Sequence, residues 1–224
     1  LTRIIREMLT AEHQVFVAEM GARYVGDIEE LCELVHPSIG LITSVGKQHL
    51  ETFGSLENII NTKYELIASL PADGAAFFNG DNEICRGMYS RCPLKKKYLF
   101  GTEGDDLAMR AIKISAGPRG STFTLMNDKG EIAECTTPLL GRHNILNITG
   151  CAAVASHLGV PMESIAEAVS KLEPVEYRLQ LIPGPVTVIN DGFNSNPEGA
   201  RVAMEVIRSF QGRKIVVTPG MIEL

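Results

Sequence analysis

Short apolar runs of strand length alternate with stretches of helical spacing through the first half of the chain, and few architectures accommodate that alternation. Residues 13–20 (HQVFVAEM), 39–45 (IGLITSV), 75–79 (AAFFN) and 97–100 read as buried strands. Strands without a polar face must be covered on both sides, as in parallel sheets. Residues 27–35 and 55–70 have helical spacing; His36-Pro37 stops the first, and Ser55 caps the second with Asn58 in the usual Glu position of a capping box. Residues 2–9 also show helical spacing, so the chain opens on a helix with Thr2 as its available cap. The β-α-β-α-β order predicts an α/β fold built on a mostly parallel, doubly wound sheet.

The texture changes between residues 108 and 137. Residues 112–115, 122–127 and 132–135 alternate and are separated by Gly-Pro-Arg-Gly and Asn-Asp-Lys-Gly turns, which predicts an antiparallel hairpin region. Helices follow at 144–158 and 162–172, then strands at 179–182 and 186–190, a helix at 197–210 and a strand at 214–218. Pro197 suits a first helical turn. The boundary is expected near 174–176, giving a domain over 1–174 and the beginning of another over 175–224.

Length permits that division, since 224 residues suffice for one large domain and part of a second. The formal charge of −6 argues against a nucleic-acid surface. It leaves a nucleotide open, because phosphates are held by local N–H groups, a lysine and Mg²⁺. No apolar run is long enough to span a membrane, and the first residues do not form a signal peptide. Cys32, Cys85, Cys92, Cys135 and Cys151 form no CxxC pair and suit small core positions in a reduced, cytoplasmic protein.

Functional groups of open parallel sheets collect beyond the carboxyl ends of strands, and Glu19, His49 and Lys63 fall at or just beyond such ends or on the next helix. A carboxylate and a neutral imidazole there can hold Mg²⁺ or Mn²⁺ around phosphate oxygens; each residue taken singly also suits a plain solvated role. The loop Asp191-Gly192-Phe193-Asn194-Ser195-Asn196-Pro197 can grip a ligand or cap the helix after it. His143-Asn144-x-x-Asn147 opens a helix and carries the same two readings. No G-x-x-x-x-G-K-[ST] loop, G-x-S-x-G or H-E-x-x-H occurs; the glycine-rich 117–122 lies in the hairpin region and lacks the lysine.

Taken in order, these segments resemble the Mur ligases over essentially the whole chain. The resemblance is carried by Glu19-Met20-Gly21-Ala22-Arg23, Gly26-Asp27-Ile28, Gly46-x-x-His49-Leu50-Glu51-x-Phe53-Gly54-Ser55 and Lys63-Tyr64-Glu65. It continues through Gly141-Arg142-His143-Asn144-x-x-Asn147, Tyr177-Arg178, Asp191-x-x-Asn194-x-Asn196-Pro197 and Gly220-Met221-x-Glu223-Leu224. Each piece is weak, and the ordered set is specific. It is most like the member that adds D-alanyl-D-alanine to a UDP-N-acetylmuramoyl-tripeptide; another Mur-type ligase, a folylpolyglutamate-type ligase or a non-catalytic nucleotide-binding paralogue are the alternatives.

The resemblance implies a central ATPase domain over 1–174, without its first strand and phosphate loop, and the start of a Rossmann-like C-terminal domain over 175–224. It implies an ATP-dependent carboxylate–amine ligase of peptidoglycan precursor synthesis, acting as a monomer on UDP-MurNAc-peptide and D-Ala-D-Ala through an acyl phosphate. Glu19, His49 and Lys63 resemble the ligands of two Mg²⁺ ions, with Lys63 carbamylated by CO₂ and His49 and Lys63 serving catalysis. Asn144, Asn147, Arg178, Asp191 and Asn194 resemble residues around the nucleotide. The family's usual aspartate-serine-tyrosine-asparagine reads Asp191-Gly192-Phe193-Asn194 here, so a tyrosine hydroxyl is lost. Without the phosphate loop, residues 1–224 alone are expected not to turn over ATP.

Overall fold

The computed structural model describes residues 1–46, 50–193, 197–218 and 220. In chain order the first half holds α1 (Thr2–Glu7), α2 (Asp27–Val35), β1 (Ile39–Ile42), α3 (Leu50–Phe53), α4 (Leu56–Ala68), β2 (Ala75–Asn79), α5 (Glu83–Arg91) and β3 (Lys96–Gly101). The strands β1, β2 and β3 pair in parallel in that order, as the alternation predicts. All five residues of β2 are buried. Side chains alternate across a strand, so Phe77 joins Phe100 of β3 on one face while Phe78 joins Leu99 on the other. Ile59 and Ile67 of α4 and Cys85 and Met88 of α5 cover the Phe78 side. The Ser55 hydroxyl accepts the Asn58 N–H at 3.1 Å and starts α4, while the Asn58 amide donates to the Phe53 carbonyl at 2.7 Å.

Next come β4 (Met109–Gly117), β5 (Gly120–Asn127), β6 (Ile132–Thr137), α6 (Arg142–His157) and α7 (Met162–Ser170). The hairpin region is not a separate layer: β4, β5 and β6 extend the same six-stranded sheet, with β5 antiparallel to both β4 and β6. The seam is narrow, with β3 and β4 paired only at Phe100–Met109 and Gly101–Arg110. At the β4–β5 turn Gly120 has φ +115, and a Cβ there would collide with the Thr137 carbonyl oxygen, so the turn admits no side chain. Ile145 and Ile148 of α6 and Met162, Ile165 and Val169 of α7 cover the Phe77 side, placing helices on both faces.

The last elements are β7 (Gln180–Ile182), β8 (Val188–Asn190) and α8 (Pro197–Arg208). The strands β7 and β8 form a separate antiparallel pair. Leu179 packs with Ala203 and Val206 of α8 and with Leu140, just ahead of α6.

Two expected strands do not form. Residues 13–20 and 214–218 carry no strand, and Val17 and Val217 are 85% and 93% exposed. An apolar run becomes a strand only by pairing its backbone with a neighbour. Among the described residues β1 pairs with β2 alone, β7 and β8 pair with each other, and neither run joins a ladder. Cys32, Cys85, Cys92 and Cys135 are buried free thiols, as their core reading predicts, whereas Cys151 is exposed. Among the described residues no helix is long and apolar enough to cross a membrane.

Candidate functional site

Lys63 stands in the middle of α4, half-buried on the side of the sheet that α4 and α5 cover. Burial holds its ammonium below the ordinary lysine range, with the Cys85 thiol opposing the shift. Two residues on, Glu65 accepts the Gly26 N–H at 3.1 Å and the Glu29 N–H at 3.0 Å. The N-cap of α2 is Gly26, which has no side chain, so its orphan N–H groups take their acceptor from another helix. Asp27 accepts the N–H groups of Arg23 and Tyr24 at 2.8 and 2.9 Å, and these bonds hold its carboxyl below the usual carboxylate range.

Glu19 is exposed in the irregular segment ahead of α2. Its neighbour Met20 receives the Cys32 thiol at 3.9 Å, and Ala22 packs on the cluster that includes Ile59 of α4. The segment bearing Glu19 is therefore joined to α2, and α2 to the helix bearing Lys63. His49 lies outside the described residues. The loop leading towards it from β1 is held by two asparagines: Asn79 donates to the Thr43 carbonyl at 2.7 Å and Asn82 to the Val45 carbonyl at 3.2 Å. Glu65, Asn79 and Asn82 escape a sequence reading because their partners are 36 to 39 positions away. Glu65 appears in the Lys63-Tyr64-Glu65 stretch without its role, and a signal for that role is α2 itself, which starts on a glycine and so lacks a cap of its own.

A second group forms where α6 begins. Asn144 donates to the Leu140 carbonyl at 2.8 Å, and Asn147 is exposed one turn on. Gly141 has φ +86, and a Cβ there would meet the His143 ring at 2.8 Å and Val206 of α8 at 3.1 Å. The Nδ1 of His143 is buried and has no hydrogen-bond partner among the described residues. Burial lowers its pKa, opposed by the carboxylates of Asp191 and Glu205.

Arg178 lies between Tyr177 and Leu179, whose φ values of 62° and 46° are left-handed. Such a pair persists only where its surroundings over-determine it. Here Leu179 donates to Asp191 Oδ1 at 3.1 Å, Phe193 donates to the Tyr177 carbonyl at 3.3 Å, and Leu179 is buried against α8. The structure thus brings Arg178, Asp191 and His143 towards one place, with Phe193 beside the arginine. Asn194 lies outside the described residues.

Among the described residues, no group of three or more His, Cys, Asp and Glu is arranged to hold a metal ion. Lys63 nonetheless fits a carbamate, because CO₂ reacts with a neutral amine and burial favours that form. A carbamate oxygen and the Glu19 carboxylate are hard oxygen donors of the kind Mg²⁺ takes.

Residues 1–155 match the Mur ligase middle domain. The UDP-N-acetylmuramoyl-tripeptide--D-alanyl-D-alanine ligase of Bacillus subtilis (strain 168) is 32% identical over 215 residues, covering 94% of this chain and 45% of that protein. MurF from Acinetobacter baumannii has a similar structure, with a TM-score of 0.84 at 28% identity over 91% of this chain and 44% of that one. MurF ligase from Thermotoga maritima, solved in complex with ADP, shares the fold with a TM-score of 0.77 at 24% identity, covering 87% of this chain and 44% of that one. The chain spans less than half the length of each.

Proposed function

The chain belongs to the Mur ligase family, and from that premise we propose that it supplies the nucleotide- and metal-binding part of an ATP-dependent ligase joining D-alanyl-D-alanine to a UDP-MurNAc-tripeptide. The observation that carries the reading is Lys63, half-buried on a helix that is bonded to the segment bearing Glu19. The domains divide near residue 174, and the separate β7–β8 sheet supports that division; the apolar cluster of Leu179, Ala203 and Val206 reaches across it to Leu140.

A carboxylate oxygen of the UDP-peptide attacks the γ-phosphorus of ATP, and ADP leaves. The amine of D-alanyl-D-alanine then attacks the acyl phosphate, giving up a proton as phosphate departs. Arg178, Asp191 and Asn194, with Asn144 and Asn147 on α6, orient the nucleotide; the guanidinium meets phosphate charge and Asp191 is an acceptor for sugar hydroxyls. Glu19, His49 and carbamylated Lys63 would hold two Mg²⁺ ions, which screen phosphate repulsion and stabilise charge developing in transfer. Converting an ammonium to a carbamate matters because a cation at residue 63 would repel the metal. The free cysteines and the use of ATP support a cytoplasmic enzyme, acting as a monomer on small-molecule substrates.

The test is Lys63→Ala in the enzyme as the cell makes it, assayed with D-alanyl-D-alanine, single amino acids and glutamate as acceptors. The variant should lose nearly all ligation, and formate or acetate should restore part of it by supplying the missing carboxylate. Unchanged activity would remove the carbamate, and preference for glutamate would assign the chain to folylpolyglutamate-type chemistry instead.

A further inference from the structure

We propose that Glu65 is a positioning residue, which sets the segment bearing Glu19 relative to Lys63 by holding the start of α2 against α4. The inference rests on the metal-binding reading of Glu19 and Lys63 given above.

Residues 19 and 63 come from distant parts of the chain, and two ligands of one cation must be held to within roughly 0.5 Å. Nothing in their own elements does this, because Glu19 is exposed in an irregular segment. The connection runs through α2. Asp27 closes the turn before the helix by accepting the Arg23 and Tyr24 N–H groups. Cys32 meets Met20, and Ala22 packs on the α4 side of the sheet, so the segment after Glu19 is tied to α2.

Glu65 binds that unit to α4 through both of its carboxylate oxygens, one on Gly26 and one on Glu29. Its negative charge suits the positive end of the α2 dipole, and each oxygen meets an N–H that has no acceptor within its own helix. Residues two apart on a helix do not face each other, so Glu65 acts on the site through α2 rather than by touching Lys63. A binding site needs its ligands oriented as well as present, and loss of a residue that orients a metal ligand typically weakens metal affinity ~10–100-fold.

The test measures Mn²⁺ binding from the free-ion EPR signal, with ADP present, in the enzyme as the cell makes it and in Glu65→Gln, Glu65→Ala and Glu19→Gln variants. Glu65→Gln keeps the size of the side chain but turns one acceptor into a donor, so it should raise the Mn²⁺ Kd about tenfold. Glu65→Ala should raise it further, while the KM for D-alanyl-D-alanine stays within about twofold in both. If Glu65→Ala does not fold, the Gln variant alone decides. An unchanged Mn²⁺ Kd in Glu65→Gln, with Glu19→Gln weakened, would overturn the positioning role and leave the metal site standing. An unchanged Kd in Glu19→Gln would overturn both. A parallel loss in Mn²⁺ and D-alanyl-D-alanine affinity would reduce Glu65 to a purely structural residue.

Discussion

The guanidinium carbon of Arg178 lies 5.7 Å from the centre of the Phe193 ring, and the same ring meets Tyr177 at 5.2 Å and 83°, edge to face. The arginine is thus braced by a residue from the next loop, at the position where the family's usual tyrosine is replaced. The backbone bond from Phe193 to Tyr177 holds the two loops together independently of the rings.

Removing the ring should therefore loosen Arg178 without unfolding the loop. Phe193→Ala forfeits an exposed cation–π contact of about 0.5–1 kcal/mol and an aromatic pair of about 0.5–1.5 kcal/mol. The KM for ATP should rise roughly 5- to 30-fold, the equivalent of about 1–2 kcal/mol. Phe193→Tyr should behave as wild type. Steady-state kinetics over a range of ATP concentrations checks this, and equal KM values in Phe193→Ala and wild type would count against the bracing.

Glycines in this fold are not equally replaceable. Gly120→Ala places a Cβ against the Thr137 carbonyl at a strained φ and should cost about 2–3 kcal/mol or more. Gly130 has φ +80 with open space around its missing Cβ, so Gly130→Ala meets strain alone and should cost about 1–2 kcal/mol. Urea denaturation of the two variants should rank them in that order; the reverse order would contradict the close approach at the β4–β5 turn.

Acid should weaken the fold through His143. Its pKa in the folded chain lies below the ordinary imidazole value of 6.5 because burial disfavours the charged ring. Above about pH 6.5 the ring is neutral folded or unfolded, and its contribution is constant. As pH falls below that value the unfolded chain takes up a proton that the folded site resists, so stability is lost until pH passes the folded pKa. His157, lowered by burial and by Lys96, acts in the same direction. The urea midpoint should fall between about pH 7.5 and pH 5.5, and His143→Gln should flatten that fall without abolishing it. An undiminished pH dependence in the variant would exclude His143 as a source.

The parts of the fold that are legible in the sequence are those decided by burial on two faces or by local caps. Residues 75–79 can only be an interior strand, and Ser55 announces the start of α4. Residues 13–20 and 214–218 have the same apolar character and form no strand, because pairing depends on a neighbour that composition does not specify. The candidate site divides similarly. Lys63, Arg178 and Asp191 stand in recognisable motifs; Glu65 shares the motif of Lys63, but its partners, like that of Asn79, are backbone groups far along the chain. His143 belongs to a motif, yet its confinement between α6 and α8 depends on Gly141 and Val206 meeting in space.

The two-pair seam between β3 and β4 has a kinetic meaning. The hairpins β4–β5 and β5–β6 join neighbours in sequence and close small loops, while β1–β2–β3 must wait for α4 and α5 to bring distant segments together. So little ladder ties the halves that the meander can assemble first, offering the edge of β4 as a template onto which the parallel strands are added. In the finished fold the seam is bridged by packing instead of ladder: Phe77 and Phe100 share one core with Met109, Phe123 and Leu125 under α6, so the two halves should unfold together.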